Sequence, residues 1–240
     1  MIIDSKKKFA VFDIDGTIFH WQFFHELFDE LVDARIISQD IARPILTNRD
    51  QWRRGIVDWN QYEASLVEVL NKAIVGIDKN SLEDISERII KNKGRVLYHY
   101  TRDLLKTLQA QSYVTIVISG SQQPLVERLA KIYKIDIALG VDYEYSNNKL
   151  TSIKRPIYGQ KDALLKALVV EHNLDWQDSY AVGDTYGDAA MLKLVDNPIA
   201  FNPDHKLLLT AKEKGWKIVV ERKSIAYTME RNDDGLYILA

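Results

Sequence analysis

The sequence predicts an α/β fold: a parallel sheet with helices on both faces and an α-helical cap inserted after the first strand. Three observations predict it. Residues 9–12 form a short continuous apolar run that stops abruptly at Asp13, the pattern of a strand buried on both faces. From Phe23 to about Lys91, apolar positions such as Phe24, Leu27, Phe28 and Leu31 recur at intervals of three and four, the period of amphipathic helices. Beyond that stretch strand-like and helix-like segments alternate, which calls for a parallel sheet covered on both faces.

In chain order, residues 101–110 read as a helix, 114–118 as a second buried strand and 124–133 as the next helix. Residues 161–171 are helical, 180–182 form a strand and 188–194 a short helix. Residues 206–214 lead through Gly215, a helix-ending residue, into a strand at 216–220. Ser146-Asn147-Asn148 and the run from Asn232 to Gly235 each read either as a hairpin turn or as a surface loop. The simplest assembly is a core of residues 1–19 and 96–240, with residues 20–95 inserted as the cap. Residues 221–240 carry no legible function.

Composition narrows the possibilities. Of 240 residues, 46% are hydrophobic and 28% charged, ordinary for a folded globular enzyme. A net charge of -2 gives no global attraction to nucleic acid or to an anionic membrane, so any anion must be bound locally. Cysteine is absent, which excludes disulfides, thiolate metal sites and cysteine nucleophiles. No apolar run approaches the roughly 20 residues that span a bilayer, and the start turns charged before any apolar stretch develops. The expectation is a cytoplasmic protein without a membrane partner; oligomeric state is not legible.

Three predicted strands end in polar clusters: Asp13-Ile14-Asp15-Gly16-Thr17, Ser119-Gly120-Ser121, and Gly183-Asp184-Thr185-Tyr186-Gly187-Asp188. In an open parallel sheet such ends share one edge, where ligands bind. Asp13, Asp15, Asp184 and Asp188 would then crowd a partly dehydrated crevice, which is costly unless a cation neutralises them. Mg2+ suits such a site, since it takes oxygen ligands and keeps several waters; manganese and calcium stay open. Lys161 opens an amphipathic helix and would bring a positive charge. Each cluster alone also reads as ordinary loop chemistry, and only their order and conjunction point to a site.

These residues resemble the four motifs of the haloacid dehalogenase superfamily: Asp13-Ile14-Asp15-Gly16-Thr17, Ser119, Lys161, and Gly183-Asp184 with Asp188. The cap resembles that of the subfamily IB phosphatases, which include phosphoserine phosphatases. The resemblance implies a Rossmann-like core and Mg2+-dependent hydrolysis of a small phosphorylated metabolite through an aspartyl phosphate. It implies that Asp13 attacks phosphorus while Asp15 protonates the leaving oxygen and then activates water. Ser119, Lys161 and the backbone amides of Ile14, Asp15 and Gly120 would hold the phosphoryl oxygens. Asp13, the Asp15 carbonyl and Asp184 would bind Mg2+, with Asp188 orienting a metal-bound water or Lys161. Asp15 also separates this chain from dehalogenases, which lack its equivalent.

Two departures bear on the substrate. Gln22 stands where phosphoserine phosphatases place the acidic residue that pairs with the substrate ammonium, and Gly187 stands where they usually have asparagine. His20, Gln22, Arg53 and Arg54 are the candidate specificity residues, the arginines because a guanidinium forks onto planar anions. Trp52, Trp59 and Tyr62 read as cap packing. A phosphotransferase or mutase of the same superfamily, or a non-catalytic phospho-acceptor module, are the alternative functions.

Overall fold

The computed structural model describes residues 6–239. A nine-stranded sheet carries the fold, in the order β4-β3-β2-β1-β5-β6-β7-β8-β9. The central strands β3 (Ile137–Ser146), β2 (Val114–Gln122), β1 (Lys7–Phe12), β5 (Leu174–Gly183), β6 (Asn197–Phe201) and β7 (Lys217–Arg222) pair in parallel. The outer strands β4 (Lys149–Arg155), β8 (Ile225–Arg231) and β9 (Tyr237–Leu239) are antiparallel, so both uncertain turns are hairpins.

Side chains of β1 alternate between two apolar clusters. Ala10 and Phe12 face one and Phe9 and Val11 the other, all fully buried. This is the period of two that a doubly covered strand requires, and each large buried side chain contributes about 1.5–3 kcal/mol.

Between β1 and β2 run five helices: α1 (Phe23–Asp33), α2 (Gln39–Arg53), α3 (Trp59–Ala73), α4 (Lys79–Lys93) and α5 (His99–Ala110). Asp58 and Asp78 cap α3 and α4, accepting from the amides of Gln61 and Asn80. The apolar faces of α1, α3 and α4 join the Phe12 side of the sheet in one cluster, through Phe23, Leu27, Leu66, Leu82 and Ile85. After β2 come α6 (Gln123–Tyr133), α7 (Lys161–Glu171), α8 (Ala189–Leu192) and α9 (His205–Lys214), which ends at Gly215 with φ +71.

Several elements differ from expectation. β5 starts at Leu174 rather than Tyr180, because its first residues pair with Lys7 and Lys8 beyond the apolar run. The helix expected at 188–194 is a 3-10 turn at Tyr186–Asp188 followed by α8, because Asp188 folds back to close a capping box with Thr185. β6 was not expected, since Asn197 and Pro198 are turn residues; its burial comes from Ile199, Ala200 and Phe201.

Candidate active site

Strand order reverses at β1, which lies between β2 and β5. The carboxyl ends of these three strands therefore open on one crevice, and each ends in one of the polar clusters. The Asp13 amide donates to the Val182 carbonyl at 2.9 Å, which locks the nose of β1 to β5. The chain turns sharply at Gly16, whose φ of +78 favours glycine and where any side chain would run into the Asp184 carboxylate. A side chain at Gly183 would meet Asp188, so the third loop too closes around a missing Cβ.

Lys161 stands at the start of α7 and is nearly buried. Its Nζ donates to Asp13 at 2.5 Å and to Asp188 at 2.6 Å. The second oxygen of Asp188 accepts from the amides of Asp184 and Thr185, at 3.2 and 3.0 Å, and from the Thr185 hydroxyl. Asp188 thus fixes both the lysine and the loop that carries Asp184. The Thr17 hydroxyl donates to Asp184 at 3.1 Å.

Oxygens of Asp13, Asp184 and Asp188 all lie within 4.8 Å of one another. Burial pushes Asp13 up to about 7, with Asp188 and Asp15 adding to the rise and Lys161 opposing it. Burial also raises Asp184 well above the usual carboxylate range, helped by Asp13 and Asp188. Burial alone would lower the Lys161 ammonium, but the Asp13 and Asp188 carboxylates outweigh it and hold it above its ordinary value. Three carboxylates thus crowd around one ammonium, which bonds two of them, in a largely buried site. A divalent cation with oxygen preference fits that donor set, and Asp13 and Asp184 each keep an oxygen that accepts no hydrogen bond from the described residues.

The Asp15 carboxylate is turned away from this trio. It accepts from the Phe23 amide at 2.6 Å, the Ser121 hydroxyl at 2.6 Å and the Ser119 hydroxyl at 3.0 Å. Burial raises its pKa, and these three donors pull against that rise. The Ser119 hydroxyl is thus committed to Asp15 as a donor, while its oxygen accepts from the Ser121 amide at 3.0 Å. The amides of Ile14 and Asp15 have no acceptor among the described residues, and Gly120 lies where β2–β3 pairing lapses between Ile118 and Gln122.

Of the cap candidates, Gln22 alone lies against the cluster, its amide nitrogen 3.3 Å from where a Cβ on Gly16 would stand. His20 is exposed and packs on Tyr98, with ring centroids 4.3 Å apart. Arg54 bonds Asp50 on the exposed end of α2, and Arg53 is exposed beside it. Ser121, Thr17 and Thr185, whose hydroxyls bond Asp15, Asp184 and Asp188, carry no role in the sequence reading. All three sit inside the quoted polar clusters, so their position was the available signal.

A family model described as haloacid dehalogenase-like hydrolase matches residues 10–193. The phosphoserine phosphatase of Archaeoglobus fulgidus is 29% identical over 205 residues, covering 83% of this chain; the chain spans only 54% of that relative. The histidinol-phosphatase of Neisseria meningitidis serogroup C is 24% identical over 228 residues, covering 89% of this chain and 98% of its own. A solved structure from Bordetella pertussis Tohama I, of a protein of unknown function, aligns with a TM-score of 0.71 at 20% identity. It covers 89% of this chain and 98% of that one, a likeness of fold.

Proposed function

The chain belongs to the haloacid dehalogenase-like hydrolase family, and from that premise we propose that it hydrolyses small phosphate monoesters through an aspartyl phosphate on Asp13. The convergence of Asp13, Lys161, Asp184 and Asp188 in one buried cluster, with Asp15 bonded beside it, is the observation that supports this reading most. A curated phosphoserine phosphatase and a histidinol-phosphatase among the relatives support a phosphomonoesterase without fixing the substrate. Residues 20–95 are taken as the cap and residues 1–19 with 96–240 as the core.

In the proposed reaction an Asp13 oxygen forms a bond to phosphorus as the ester P–O bond breaks. Asp15, whose raised pKa favours the protonated acid, gives its proton to the leaving oxygen. The resulting carboxylate then takes a proton from water, which attacks phosphorus and frees both phosphate and the Asp13 carboxylate. Lys161 and the free amides of Ile14 and Asp15 offer donors for the charge that develops on the phosphoryl oxygens. Ser119 joins them once it turns from Asp15. Asp188 keeps Lys161 charged and in place. Asp13, the Asp15 carbonyl and Asp184 would hold Mg2+, which when bound supplies charge neutralisation among the carboxylates and polarises phosphoryl oxygen. Apolar cap helices over the crevice help to exclude bulk water.

The test is phosphate release from p-nitrophenyl phosphate. Turnover should require Mg2+ and fall at least about a thousandfold in Asp13→Asn, with the melting temperature as a control for folding. Turnover retained in purified Asp13→Asn would contradict the proposal.

A further inference from the structure

β2 runs through Ile118 into Ser119, Gly120 and Ser121, and its pairing with β3 lapses between Ile118 and Gln122. Gly140 of β3 lies against this irregular stretch. A Cβ there would stand 2.6 Å from the Ser121 carbonyl, so the close approach needs a glycine. Ser119 and Ser121, two residues apart on an extended strand, share a face. Both are buried, and both hydroxyls donate to the same Asp15 oxygen, Ser119 at 3.0 Å and Ser121 at 2.6 Å. The other Asp15 oxygen accepts from the Phe23 amide at 2.6 Å.

The two hydroxyls are not equivalent. The Ser119 oxygen accepts from the Ser121 amide at 3.0 Å. Its single proton can go to Asp15 or, in the reaction proposed above, to a phosphoryl oxygen, but not to both. The Ser121 hydroxyl makes the shorter bond and has no other side-chain partner among the described residues. With Phe23 at the start of α1 holding one oxygen and Ser121 at the end of β2 holding the other, the direction of the carboxyl is fixed without Ser119. A carboxyl that gives a proton to the leaving oxygen and then takes one from water depends on such placement, because proton transfer needs hydrogen-bond reach.

We propose that Ser121 is a positioning residue that holds the Asp15 carboxyl for its acid and base steps, which frees the Ser119 proton for the phosphoryl group. The assignment rests on the phosphatase reading above and goes beyond it by dividing the work of two neighbouring serines. Ser121 keeps its own proton throughout: the proton that reaches the leaving oxygen comes from Asp15, and Asp15 regains one from the attacking water.

The experiment compares kcat/KM for p-nitrophenyl phosphate, whose leaving group departs with little help, with that for phenyl phosphate, whose leaving group needs a proton. Both are measured with Mg2+. Ser121→Ala should raise the ratio of the two about tenfold or more, the loss expected for one hydrogen bond to a charged group. Ser121→Thr, which keeps the hydroxyl, should stay near the ratio of the intact protein, while its isostere Ser121→Val should follow Ser121→Ala. Ser119→Ala should lower both substrates alike and leave the ratio within about twofold, as loss of a phosphoryl contact would. A ratio that is unchanged in Ser121→Ala and Ser121→Val, or that rises as far in Ser121→Thr or Ser119→Ala, overturns the Ser121 assignment alone. Loss of cooperative melting in both Ser121→Ala and Ser121→Val overturns it too, since the hydroxyl would then serve the fold. Absence of any Mg2+-dependent turnover in the intact protein overturns the phosphatase reading and the assignment with it.

Discussion

Lys161 shows how much of the site rests on single residues. Its ammonium bridges Asp13 on β1 and Asp188 beyond β5, so one side chain ties together groups from three parts of the sequence. A second buried residue has a measurable consequence for stability. His25 is buried, bonds Tyr62 through Nδ1 at 2.8 Å and leaves Nε2 without a partner. Burial, with Arg49 and Arg53 nearby, pushes its pKa down to about 3. The unfolded chain takes up the proton near pH 6.5, while the native state refuses it until about 3. The stability this gives is present above pH 6.5 and drains away as pH falls, with a limiting slope of about 1.4 kcal/mol per pH unit. Urea denaturation at pH 7, 6 and 5 should show a shallower acid loss in His25→Gln; parallel profiles would contradict this. Asp13, Asp184 and Lys161 were legible because an apolar strand or amphipathic helix marks where each must emerge. The bond from Ser121 to Asp15 was not, because a serine after a strand reads as loop chemistry until β2 carries it onto that carboxylate.

Among the elements, the β3–β4 hairpin does more than extend the sheet. Its two-residue turn, Asn147-Asn148, has positive φ at both positions, as a type I′ turn requires. The hairpin reaches the α3–α4 junction. There Gly76 donates to the Leu150 carbonyl, Leu150 to the Ile77 carbonyl and Lys79 to the Asn148 carbonyl, at 2.7 to 2.9 Å. Asn148 also bonds the Asp78 side chain that caps α4. On the core side, Arg128 of α6 pairs with Glu83 and Glu87 of α4. One side of the cap is thus moored to the core. Replacing both asparagines by valine imposes about 1–2 kcal/mol per residue at positive φ. Hydrogen exchange at the Gly76 and Lys79 amides should then quicken at least about tenfold, with the central strand β2 unchanged. Unaltered protection at those two amides would contradict the mooring. The turn was legible from its asparagines, although the docking was not, because contacts between distant loops leave no periodic trace. β6 was missed for a related reason: its burial comes from neighbouring strands that override its turn-forming start.

For the molecule as a whole, cap and sheet are not separate bodies in their packing. Residues from β1, α1, α3, α4 and α6 share one apolar cluster, while the opposite face of the sheet has its own. The crevice lies where the first of these clusters meets the carboxyl edge of the sheet. Among the described residues no helix is long and apolar enough to cross a membrane. Everything functional in this account depends on Asp13 being the atom source that meets phosphorus. Acid quenching during turnover of p-nitrophenyl phosphate with Mg2+, followed by peptide mass spectrometry, tests that directly. A phosphoryl group on the peptide containing Asp13, absent from Asp13→Asn, is the predicted result. Steady phosphate release with that peptide unmodified at every quench time, or with the phosphoryl group on another residue, would contradict it.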